Sequence, residues 1–119
     1  MRWATAAVLD AVCVVVFVAV GRAGHHEAGA ITGFVRTLWP FASGLAIGWV
    51  VTRAWQRPGA LFPYGIGVWL ITVAAGMTLR VASGQGVAVA FVIVALAFLG
   101  LFLLGWRLVA RLLPAIRAA

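Results

Sequence analysis

The chain has 119 residues, of which 66% are hydrophobic and 9% charged, where an ordinary soluble domain carries about 25% charged residues. No soluble fold of this size can bury that much apolar surface, so the lipid bilayer must be the solvent for most of it. A net charge of +7 would suggest nucleic acid in a soluble protein; here the arginines stand between or beside apolar runs, where head groups and the positive-inside bias account for them, and the basic clusters of a nucleic-acid binder are missing.

The first apolar run spans about 3–20, with Arg2 before it and Arg22 after it. Eighteen residues rising about 1.5 Å each reach across the hydrocarbon core. The run is longer than a signal-peptide core, carries Asp10 inside it and ends in Gly21-Arg22 rather than a small-x-small site, so a retained span is expected. Cys13, the only cysteine, has no partner for an intrachain disulfide and reads as a small apolar side chain in a helix. The loop that follows holds His25, His26 and Glu27, so every acidic and imidazole group falls within the first 27 residues.

The second span is expected over about 34–52, with Arg36 in its first turn. Pro40 lacks an amide and crowds the carbonyl of Arg36, so the helix proper either starts near Pro40 or kinks there. Gly44 and Gly48 form a GxxxG pair that lets a neighbouring helix approach closely. A short basic loop with Arg53, Arg57 and the turn signal Pro58-Gly59 leads to the third span, about 61–79, closed by Arg80. Ser83-Gly84-Gln85-Gly86 turns the chain into the fourth span, about 87–106, which contains no charge and ends at Trp106-Arg107. These spans predict one all-α domain, an antiparallel bundle of four transmembrane helices.

Four spans put both termini on one side, with Arg2, Arg53, Arg57, Arg107, Arg111 and Arg117; the other side has Arg22, Arg36 and Arg80. Six against three predicts a multi-pass protein of the cell membrane with cytoplasmic termini. Arg22, Phe34 and Gly48-Trp49 recur in order as Arg80, Phe91 and Gly105-Trp106, the pattern a duplicated two-helix hairpin would leave.

Asp10 is the sharpest chemical signal. A charge near the middle of a span costs roughly 2.5–3.5 kcal/mol on insertion scales, which makes it a functional candidate. Counting along the helices places it level with Gly44 to Gly48, Gly67 to Trp69, and Gly100, where no arginine lies. Asp10 is then neutral, or meets a donor such as Trp69, Tyr64 or Thr72, or draws Arg53 or Arg107 up from the interface. Arg22, His25, Arg36 and Arg80 form a second candidate, a site for an anion or an anionic lipid head group at the opposite face. Adjacent histidines on a loop lack the spacing and the fourth ligand of a metal site, and neither a cofactor motif nor a nucleophile–base pair is present, so no metal, no cofactor and no enzymatic activity are expected.

Asp10, Phe17, Gly21-Arg22, His25, Pro40-Phe41, Arg80, Phe91 and Gly105-Trp106-Arg107 resemble the pattern of a domain-of-unknown-function family of small four-helix bacterial and archaeal membrane proteins. The resemblance implies a multi-pass membrane protein and assigns no activity. Small multidrug transporters also carry a carboxylate in the first helix, but it is a glutamate in another context, and their dual-topology members balance their basic loops. Small fluoride channels have a polar, glycine-broken third helix that Leu61 to Leu79 lacks. Two functional readings remain. One is a non-catalytic assembly or accessory subunit that forms a homo-oligomer or joins a larger membrane complex through its glycine-rich helix faces. The other is a small transporter or channel using Asp10 to couple protons or cations.

Overall fold

The computed structural model describes residues 1–23 and 29–119. Four helices, α1 (Trp3–Gly21), α2 (Ala30–Thr52), α3 (Ile66–Ala82) and α4 (Val89–Leu112), are followed by a short α5 (Pro114–Ala118). Among the described residues there is no strand, and α1, α2, α4 and the stretch Leu61–Ala82 are each long and apolar enough to cross a membrane. The protein is a four-helix, multi-pass membrane bundle. The Thr5 hydroxyl donates to the carbonyl of Ala119 at 3.1 Å, which ties α5 to the start of α1 and brings both termini to one end. Opposite this terminal end lies the hairpin end, where α1 turns into α2 and α3 into α4.

α2 runs unbroken through Pro40 and starts at Ala30, nearly three turns before the proline. The missing amide frees the Arg36 carbonyl, and in a membrane a freed backbone group needs a new partner. The Gln85 side-chain amide, from the turn between α3 and α4, donates to it at 3.0 Å. A polar side chain in the second hairpin thus completes a helix of the first.

α2 and α3 make the closest approach in the bundle. A Cβ added at Gly44 would lie 2.7 Å from the Thr72 carbonyl oxygen, and one at Gly48 would lie 3.3 Å from Val68 Cα. In the opposite direction, Gly76 of α3 accepts the ring of Phe41. The glycine faces are therefore used inside the chain. α4 reaches Leu112, six residues beyond Trp106, so Arg107 lies within the helix rather than at its end.

The core has two halves. Towards the hairpin end, the rings of Phe17, Phe41, Phe91 and Phe98 pack together, with Phe17 and Phe41 edge-to-face at 5.2 Å. Towards the terminal end the centre is polar. There the connection from α2 to α3 folds inward: a single 3-10 turn, Ala54–Gln56, and a wider turn, Leu61–Gly65, leave Ala54 and Pro58 buried. Between α1 and α2, a groove of about 800 Å³ stays open on the outer surface, lined by Ala7, Ala11, Ala42 and Ala46 and flanked by Trp3 and Trp55.

Candidate functional site

Asp10 and Arg107 are both fully buried, at 0% exposure, and face each other as a two-pronged ion pair. Arg107 Nη1 donates to Asp10 Oδ1 at 2.9 Å, and Nη2 donates to Oδ2 at 2.8 Å. The indole N–H of Trp106 donates to Oδ1 and that of Trp49 to Oδ2, each at 2.8 Å. Each carboxylate oxygen thus holds two donors, which fills its acceptor sites. The guanidinium is nearly as well satisfied: Nε donates to the Pro58 carbonyl at 3.0 Å, and Nη1 also reaches the Leu103 carbonyl at 2.8 Å. Gly65 packs on the Arg107 side chain, where a Cβ would come within 2.7 Å of Cδ. All four helices, or the turns between them, contribute to this one cluster.

Sequence counting expects neighbours nearer the membrane centre, by about one turn on α2 and nearly two turns on α4. Helical side chains tilt towards their own N-terminus. α1 runs opposite to α2 and α4, so Asp10 leans to the terminal end while Trp49, Trp106 and Arg107 lean away from it, and the gap closes. Two of the donors expected from sequence, Trp69 and Tyr64, are occupied elsewhere. Trp69 donates to the Leu96 carbonyl at 3.0 Å and Tyr64 to the Gln56 side-chain oxygen at 3.2 Å. The Thr72 hydroxyl is buried without a partner among the described residues. Arg53 is exposed, at the end of α2. Of the partners named from sequence, Arg107 alone is present, and both tryptophans go unnamed there. Their signal is the internal echo, in which Trp49 and Trp106 occupy equivalent places.

At the hairpin end, Arg22, Thr37 and Arg80 line a pocket of about 180 Å³, with Phe17 and Phe91 beneath them. Arg22 Nη1 lies 3.4 Å from the Thr37 hydroxyl, and its guanidinium rests over Gly33. Arg80 donates twice to the Gly86 carbonyl and once to the Gln85 side chain, and sits 4.5 Å over the Phe91 ring. Arg36 is exposed and lies outside this pocket, while its backbone carbonyl takes the Gln85 bond described above. His25, with His26 and Glu27, lies outside the described residues. The pocket has the size and the two cations for a small anion. Gly44 and Gly48 belong to neither site; they seat α2 on α3.

The profile of a family described as "Protein of unknown function (DUF3054)" matches residues 7–110. The chain belongs to the DUF3054 family. The match includes Asp10, Trp49, Trp106 and Arg107 as well as Arg22 and Arg80, and it ends just before Arg111. No curated protein and no solved structure matches the chain.

Proposed function

We propose that this DUF3054 protein is a non-catalytic membrane subunit that acts by assembly, with a second copy of itself or within a larger membrane complex. The observation that carries this reading is the saturation of Asp10. A coupling carboxylate must exchange its partners for a proton, a cation or water. Asp10 is fully buried and its oxygens are filled by a guanidinium and two indoles. A buried pair of that kind fixes which helices meet and in what register. The alternative, a transporter or channel coupled through Asp10, would have to break four charge-assisted hydrogen bonds in each cycle.

The glycine faces are consumed between α2 and α3, so the surface proposed for assembly is the α1/α2 groove. Its alanine floor lets a further transmembrane helix approach closely, as small residues do at membrane helix interfaces. The test is the native mass of the protein extracted in mild detergent. A particle heavier than one 12.5 kDa chain is expected, and Ala46→Trp, which fills the groove, should release single chains that keep their helicity. A monomeric wild-type protein would overturn the reading.

The orientation proposed is cytoplasmic termini in the cell membrane. With Arg107 neutralised inside the bundle, the bias becomes five arginines at the terminal end against Arg22, Arg36 and Arg80 at the other, and keeps its direction. A cysteine at Gly59 in a Cys13→Ala background should resist a membrane-impermeant thiol reagent in intact cells; labelling there would reverse the topology.

A further inference from the structure

A second polar hollow, of about 810 Å³, opens at the terminal end, away from both sites described above. Three separate segments bring an arginine to its wall: Arg57 from the α2–α3 connection, Arg111 from the last turn of α4, and Arg117 from α5. All three side chains are exposed. The described hydrogen bonds and ion pairs include none from these guanidinium groups, and Asp10, the acidic residue of the nearby cluster, is already taken by Arg107. The same wall contains Leu61 and Phe62, the latter 77% exposed. A surface with three guanidinium groups unpaired among the described residues, beside an exposed phenyl ring and a half-buried leucine, is complementary to an amphiphile with an acidic head.

We propose that this hollow binds an anionic phospholipid, its phosphate held by Arg57, Arg111 and Arg117 and its acyl chains leaving past Leu61 and Phe62. Guanidinium forks match phosphate oxygens two at a time, and basic hollows at the ends of transmembrane helices suit acidic head groups. The apolar wall points to a lipid rather than to free phosphate, because a soluble anion gains nothing from Phe62. Three cations with no ion pair among the described residues favour a head group with two phosphates over a head group with one.

Native mass spectrometry of the full chain, released from nanodiscs, tests this by counting adducts of cardiolipin, phosphatidylglycerol and phosphatidylcholine. Adducts should fall in that order. Arg57→Gln, Arg111→Gln and Arg117→Gln should each weaken cardiolipin binding about fivefold, and the triple variant about a hundredfold. These exposed side chains make no hydrogen bond or ion pair among the described residues. Arg2→Gln, at the same end but outside the hollow, should change binding by less than about twofold. Equal loss in Arg2→Gln would reduce the effect to a general basic belt and overturn the site. So would unchanged adducts in the triple variant. Displacement of cardiolipin by an excess of inorganic phosphate would overturn the lipid as its occupant.

Discussion

Arg107 and Arg80 are both arginines near the ends of membrane-spanning helices, and the protein treats them in opposite ways. Arg107 is sealed, and a carboxylate faces it at 2.8 Å. Arg80 is half-buried, and the partners described for it are neutral: two bonds to the Gly86 carbonyl, one to Gln85, and the face of Phe91. The difference follows from solvation. A guanidinium that still meets water or head groups can use carbonyls and a ring, because solvent screens the rest of its charge. One withdrawn from both needs a formal counter-ion with its remaining N–H groups bonded, since an uncompensated charge in low dielectric costs several kcal/mol. The terminal half of the core is accordingly specific and brittle, and the hairpin end tolerant.

The sharpest way to break this contrast is to remove one charge of the buried pair. Asp10→Asn keeps the size but leaves Arg107 uncompensated and turns one acceptor oxygen into an amide NH2 facing two donors, and a loss of about 3–5 kcal/mol is expected. Arg107→Met should cost a similar amount for the mirror-image reason. The double variant Asp10→Leu, Arg107→Met should recover most of the loss, because it removes both desolvation penalties together. Trp49→Phe and Trp106→Phe each delete one donor and should cost about 1–2 kcal/mol. Unfolding titrations in mixed micelles measure the series. Equal losses for Asn and for the two Phe variants would mean that the pair is not held as a sealed ion pair.

The fold was open to reading because membrane solvation writes itself in sequence: four apolar runs, interrupted by arginines and turn residues, have one economical arrangement. Asp10 was visible for the same reason, as a charge where charge is expensive. Its partners were harder to find because depth counted along a helix axis omits the tilt of side chains and the inward fold of a loop. Pro58 reads as a surface turn residue, yet it is buried and its carbonyl holds Arg107. Arg107 reads as an interface arginine until α4 is known to continue to Leu112. The echo between hairpins carries half of the answer. The shift that places Trp49 on Trp106 places Asp10 on Gly67 and Val50 on Arg107. The indoles repeat and the ion pair does not, so the pair is where the two hairpins are made different.

The hairpin end should give the smallest effects, and their additivity shows what its pocket holds. Arg80→Gln removes bonds to neutral acceptors and a ring contact in a partly solvated place, so a loss of about 1 kcal/mol is expected. Arg22→Gln removes a 3.4 Å contact with Thr37 and should cost less. The two side chains line one pocket of about 180 Å³ but lean on different elements, Arg80 on the α3–α4 turn and Arg22 on α2. With no shared ligand, the double variant should lose the sum of the single losses, to within about 0.3–0.5 kcal/mol. An anion bridging both guanidinium groups would be lost with the first substitution, leaving the second nearly silent. Unfolding measured in chloride and again in phosphate separates these cases. Additive losses in both salts would leave the pocket as packing around two membrane-face arginines. Non-additivity that appears in phosphate would make it an anion site at the opposite end from the sealed pair, and the contrast between Arg107 and Arg80 would become one between a cation that builds the fold and a cation kept free to bind.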